Sequence, residues 1–120
     1  MKYLLLIYTS EVEVAKQTPE QGAIVMKEYG AFTQAIMGSG HYKGGNALQP
    51  VATATSVKVR DGKTLVTDGP FAETREQLAG YYLIEAANLD DATGIAARIP
   101  GSKLGTVEVR PIWEMPAPQS

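Results

Sequence analysis

The chain begins with an apolar run, Tyr3 to Tyr8, in which both alternating sets of positions are apolar. Tyr3, Leu5 and Ile7 form one set; Leu4, Leu6 and Tyr8 form the other. Alternate side chains of a strand point to opposite faces, so the pattern predicts a strand over about Lys2–Tyr8, central and covered on both sides. The period then changes. Val25, Tyr29, Phe32 and Ile36 recur at helical spacing and predict one buried stripe. Thr18-Pro19-Glu20-Gln21 marks where that helix starts, with an N-cap hydroxyl, proline at the first helical position and Gln at the capping-box position. Gly38 and Gly40 end it.

His41 to Gln49 reads as extended chain loosened by Gly44 and Gly45. Thr53–Val59 alternates, with Thr53, Thr55, Val57 and Val59 on one face. Arg60-Asp61-Gly62-Lys63 predicts a tight hairpin, because Asp-Gly suits the two positive-φ positions of a type I′ turn. Thr64–Thr67 is the return strand, stopped by Asp68-Gly69-Pro70. Thr74–Leu78 reads as a short bridging turn or helix, and Gly80–Ala86 as a strand. A second helix is expected over Leu89–Ile99, capped by Asn88, with Asp91 favourable to its dipole. Leu89, Ala92, Ala96 and Ile99 form its inner face, and Pro100-Gly101 terminates it. Gly105–Glu114 is the last strand, with Val107, Val109, Pro111 and Trp113 on one face.

The order is β-α-β, an inserted hairpin, then β-α-β. That is an α+β chain on the ferredoxin-like split βαβ plan, βαββαβ with an inserted β-hairpin. Two helices cover one face of an antiparallel sheet. The first strand is apolar on both, so a second copy of the same sheet is the simplest cover for the other face. The expectation is a homodimer packed sheet to sheet. Residues 1–115 are expected to form one domain, and Pro116–Ser120 a disordered Pro-rich tail.

Composition narrows the chemistry. The 120 residues carry no Cys, one His and a net charge of −2. Disulfides, thiol nucleophiles, Cys-ligated zinc and iron–sulfur clusters are excluded, as is a site needing two His ligands from one chain. The reading needs no cofactor and no metal. A slightly acidic chain without a basic stripe is not a general nucleic-acid binder. The N-terminal apolar run is too short for a signal peptide, and Glu11 and Glu13 stand where a cleavage site would fall. No apolar stretch approaches the ~20 residues of a membrane span, so no membrane partner is expected and the cytoplasm is the default compartment. Gly62-Lys63-Thr64 resembles the end of a P-loop, but Val57 replaces the glycine required five positions earlier. Gly38-Ser39-Gly40-His41-Tyr42-Lys43 misses the dinucleotide fingerprint at Lys43 and follows a helix instead of a strand. There is no G-x-S-x-G elbow, and Met26, Met37 and Met115 have no ligand spacing.

Six residues stand out as candidates. His41, the one side chain of a type whose unperturbed pKa is near neutrality, follows the helix-ending glycines; it is either a loop histidine or a general base. Asp68 is either a turn-former or a carboxylate that orients His41, should the two meet within hydrogen-bond reach. Glu73 and Arg75, with Glu76 beside them, form either an exposed ion-paired loop or a ligand contact in which Arg75 holds an acidic oxygen. Tyr81 and Tyr82 alternate across a strand, so one faces the helices and the other the dimer cleft.

The stretch Asp61–Glu85, DGKTLVTDGPFAETREQLAGYYLIE, is long and distinctive. It resembles the signature of the DGPF-type branch of the YCII-related proteins, with Asp68-Gly69-Pro70-Phe71 as the naming tetrapeptide. The resemblance extends to Met1–Tyr8, Gly44–Pro50 and Gly105–Pro111, roughly Met1 to Met115 in all. It implies a dimeric α+β barrel of ferredoxin-like subunits in the bacterial cytoplasm. It also implies genes often adjacent to extracytoplasmic-function sigma factors, so a sigma factor is a candidate partner. No common activity comes with it. Some relatives resemble muconolactone-isomerase-type enzymes, and one branch includes a dehydrochlorinase. Those relatives carry a His in the first helix and an Asp before the last strand. Here neither Thr18–Gly38 nor Pro100–Leu104 supplies them. The leading expectation is a dimer that holds a small organic ligand in a barrel cleft. Its rivals are a cofactor-independent isomerase or lyase for a small acidic substrate, using His41 and Asp68, and an interaction module without ligand chemistry.

Overall fold

The computed structural model describes residues 1–116; of the expected tail, residues 117–120 lie outside that range. The elements are β1 Lys2–Thr9, α1 Glu11–Val14, α2 Pro19–Gly38, β2 Tyr42–Ala47, a 3-10 turn Val51–Thr53, β3 Thr55–Arg60, β4 Lys63–Asp68, β5 Gln77–Glu85, α3 Leu89–Ala97, α4 Gly101–Leu104 and β6 Thr106–Pro111. Four strands form one sheet in the order β2-β5-β1-β6, with every neighbouring pair antiparallel. The remaining pair, β3 and β4, forms a sheet of its own. This α+β topology fits the ferredoxin-like plan with an inserted hairpin.

β1 lies inside the sheet and sets its two faces. Tyr3, Leu5, Ile7 and Thr9 are buried, and the register puts Ile84 of β5 beside Tyr3 on that face. Phe32 and Ile36 from α2, Ala92, Ile95 and Ala96 from α3, and Ile99 close the core over it. Val107 and Val109 of β6 pack at its margin. On the opposite face the same register aligns Leu4 with Leu83, Leu6 with Tyr81 and Tyr8 with Leu78. These side chains are only half-buried, and every fully buried strand residue belongs to the helix side. Cover is thus found on one face of the strand where the apolar pattern called for two.

The local signals explain the element ends. Thr18 Oγ1 accepts the Gln21 N–H at 3.2 Å while Gln21 Oε1 accepts the Thr18 N–H at 2.9 Å, a complete capping box. Asn88 Oδ1 accepts the Asp91 N–H at 2.9 Å and starts α3. In the hairpin, Asp61 (φ 51°) and Gly62 (φ 74°) both take the positive φ of a type I′ turn.

Other expectations shift. The Thr74–Leu78 bridge is not a helix; β5 begins at Gln77, earlier than the Gly80 expected. Its start is held by side chains: Gln77 Oε1 accepts the Glu11 N–H at 2.8 Å, and Thr106 Oγ1 donates to Glu76, just before the strand, at 3.0 Å. Leu89 is exposed, and Ile95 takes the core place expected of it. β6 stops at Pro111, leaving Trp113 83% exposed.

Gly105 joins α4 to β6 where no side chain fits, since a Cβ there would press on the Tyr8 carbonyl oxygen well inside contact distance. Gly94, within α3, has open space around it. Gly105→Ala should therefore destabilise the fold by about 1–3 kcal/mol, whereas Gly94→Ala should stabilise it by about 0.5–1 kcal/mol. Urea unfolding of the two variants checks the opposite signs.

Candidate functional site

A partly enclosed site lies under the middle of α2, and small residues line it. Gly45 in β2 and Gly80 in β5 sit where the strands run close together. A Cβ on Gly45 would lie 2.8 Å from the Tyr81 carbonyl oxygen, and one on Gly80 would lie 2.8 Å from that of Asn46. A Cβ on Gly101 of α4 would lie 2.6 Å from the Tyr29 hydroxyl. With no side chains at these three points, a cavity of about 420 Å³ remains. Ile7, Val14, Val25, Met26 and Leu104 give it apolar walls. Its size is that of a small organic ligand.

The polar groups inside are few and neutral. Tyr29 Oη accepts the Gly101 N–H at 3.1 Å, so its own proton is free to donate into the cavity. Burial pushes the Tyr29 pKa up; the Gly101 N–H opposes that shift and Tyr82 adds to it. The phenol therefore stays protonated at neutral pH. Thr33 Oγ1 and Tyr82 Oη lie 2.8 Å apart. Whichever donates, one O–H of the pair is left over. Tyr82 is held by edge-on contacts with Phe32 (5.2 Å between ring centres) and Tyr42 (6.2 Å). Gln17 and Asn46 line the rim. No Asp, Glu, Lys, Arg or His is among the described lining residues. Such a site can donate hydrogen bonds to a carbonyl oxygen, but it offers no base to take a proton and no cation to hold a carboxylate.

Of the sequence candidates, Tyr81 and Tyr82 line this cavity. Tyr82 shares its face with the helices, and Tyr81 lies opposite Leu6 on the other, where its hydroxyl accepts from Asn46 Nδ2 at 2.9 Å. Asp68 ends β4 on the hairpin, exposed, and no hydrogen bond among the described residues reaches its carboxylate. Glu73 is exposed in the following loop. Arg75 lines a separate open groove with Ser10, Glu13 and Glu76.

His41 meets a different carboxylate from the one expected. Its Nε2 lies 3.2 Å from Asp91 Oδ2 and its Nδ1 lies 2.7 Å from Ser39 Oγ. Serine, histidine and aspartate in series resemble a nucleophile, its base and an orienting acid. The surroundings do not complete that chemistry. Ser39 caps the C-terminus of α2, the carbonyl-rich negative end of the helix dipole. The N–H groups of Ser39, Gly40 and His41 are all spent on the carbonyls of Ala35, Met37 and Ile36. No donor remains there for an oxyanion. The arrangement is a tie between the end of α2 and the start of α3. Asp91 was legible in the sequence as a helix-start carboxylate but not as the partner of His41. Tyr29 and Thr33 were missed as site residues because Tyr29 reads as a member of the core stripe.

Among the described residues no group of three or more His, Cys, Asp or Glu side chains is arranged to hold a metal ion, and no helix is long and apolar enough to cross a membrane.

Fold and cavity together define an α+β protein with a ligand-sized apolar hollow beneath its long helix. A family model for the YCII-related domain matches residues 1–116. The chain is also 35% identical, over 114 residues, to an uncharacterized protein of Rhizobium meliloti (strain 1021), covering 93% of this chain and 92% of that one. The chain belongs to the YCII-related family.

The tie at Asp91 has a pH signature. Its pKa is held below the usual carboxylate range, first by the Ala87 N–H at 2.9 Å and then by His41. A depressed pKa adds stability above the unfolded value, about 3.9 for Asp, and that stability is lost as pH falls through the lower folded value. Asp91→Asn should flatten the acid limb of the stability profile below about pH 4, as followed by urea unfolding at stepped pH. An acid limb as steep as that of the parent protein would contradict the assignment.

Proposed function

We propose that this protein binds a small neutral organic molecule bearing a carbonyl-type acceptor, and that it does so as a homodimer. The observation carrying the ligand reading is the 420 Å³ cavity, apolar-walled and furnished with the hydroxyls of Tyr29, Thr33 and Tyr82. The ligand's apolar body would fill the hollow under α2 while its oxygen accepts from Tyr29. The uncovered apolar face of the sheet, centred on Leu4, Leu6 and Leu83, supports the dimer. The Asp68–Phe71 tetrapeptide supports reading the chain as a member of the DGPF-type branch, and with that reading we adopt the bacterial cytoplasm and a regulatory link to extracytoplasmic-function sigma factors that the branch implies.

Binding is favoured over enolising catalysis, because the described lining residues include no group that takes up a proton. A cavity that polarises a carbonyl without a base cannot move the adjacent proton. His41 and Asp68 are not among its lining residues. An acidic substrate would also meet no cation there.

Thermal unfolding with a panel of alicyclic and aromatic ketones and lactones, set against the matching carboxylic acids, tests the reading. A ligand at a hundred times its Kd stabilises by about 2.7 kcal/mol, several degrees in this size of domain. Neutral carbonyl compounds should raise Tm and the acids should not. Tyr29→Phe should weaken the best of them roughly 2- to 10-fold. Stabilisation by the acids alone would overturn the proposal.

A further inference from the structure

The β3–β4 hairpin is built as if something else were to cover it. A lone two-stranded hairpin is marginal in water. Here every strand residue except Ser56 is exposed. The register sets Val57 opposite Val66 and Val59 opposite Thr64, so three valines share one face. All three are exposed, and Phe71 just beyond the base is 86% exposed. Yet the base is fixed: the Gly69 N–H donates to the Ala54 carbonyl at 2.7 Å, and Ser56 Oγ donates to the Gly69 carbonyl at 2.9 Å. The hairpin is a pinned arm with an apolar face.

Size points to what covers it. A folded monomer of this mass should expose about 6300 Å² and have a radius of gyration of about 13.6 Å. The chain exposes 8697 Å², has a radius of gyration of 16.8 Å and forms a slab of 48 × 46 × 21 Å. The excess of roughly 2400 Å² per chain is the scale of an obligate homodimer interface. Two apolar surfaces on one chain contribute to it, the arm and the uncovered sheet face. A two-fold pair covers both at once, each arm reaching its partner. Six residues per strand give the arm a reach of about 20 Å, enough to cross a four-stranded sheet. The arm also carries Lys58, Arg60 and Lys63 against Asp61 and Asp68 in a chain of net −2, so its charge complements a second copy.

We infer that the hairpin is a dimerisation arm whose Val57, Val59 and Val66 face packs on the body of a second copy, at the rim of the sheet interface. The inference rests on the dimer reading above and adds a second contact to it. Because the chain has no Cys, Val57→Cys and Leu6→Cys each introduce a single thiol for a photo-crosslinking label. Each labelled variant is prepared as a mixture of light and nitrogen-15 chains, irradiated and mapped by mass spectrometry. Crosslinks joining a light to a heavy chain are expected from both positions. Val57→Asp with Val66→Asp should weaken the dimer roughly tenfold or more in sedimentation. If the Val57 label joins only to its own chain while the Leu6 label crosses chains, the arm is refuted and the dimer stands. If neither crosses and the protein sediments as a monomer, the dimer reading fails and the arm with it.

Discussion

A central strand that is apolar on both faces governs this structure. β1 gives Tyr3, Leu5 and Ile7 to the helices and turns Leu4, Leu6 and Tyr8 the other way. Burying one such side chain fully is worth about 1.5–3 kcal/mol. The helix side collects that contribution through Phe32, Ile36 and Ile95. The other side, extended by Leu78, Tyr81 and Leu83, has it still to gain. Among the described residues two helices, α2 and α3, are long enough to cover a sheet, and both lie on the same side. The topology therefore presents an apolar surface by construction, and the projecting hairpin adds a second.

The same packing produces the cavity. Large side chains from α2 meet the sheet well where Phe32 and Ile36 are buried, nearer the helix's C-terminal end. Along the middle of the helix, beside Val25, Tyr29 and Thr33, the sheet offers Gly45 and Gly80, and α4 offers Gly101. Close contacts forbid side chains at all three positions, with strand backbone at Gly45 and Gly80 and with the Tyr29 and Ile7 side chains at Gly101. Tyr29 and Thr33 then become its hydrogen-bonding groups simply by being the helix residues above it. Because they are hydroxyls in an apolar hollow, they suit the neutral acceptor proposed above; a titrating ligand would be desolvated there without a partner.

Much of this was legible from local chemistry. The Thr18 capping box, the Asn88 cap and the Asp61-Gly62 turn each depend on residues within a few positions of one another, and all three formed as read. Both alternating faces of β1 were also visible. What sequence could not show depends on long-range meetings. His41 and Asp91 are fifty residues apart, and Tyr29 and Gly101 seventy-two. Short helices escaped as well: α1 and α4 have four residues each, too few to show a period. Leu89 fitted the helical spacing but lies in the first turn of α3, where Ile95 supplied the core contact instead.

The central claim is that the face carrying Leu4, Leu6 and Leu83 is completed by a second copy of the chain. Sedimentation equilibrium across a dilution series from micromolar to nanomolar tests it most directly. The account predicts a mass of twice 12.9 kDa at micromolar concentration, with Leu6→Glu shifting the species to one chain while the far-ultraviolet dichroism is kept. A parent protein that sediments as a single chain at micromolar concentration would contradict it.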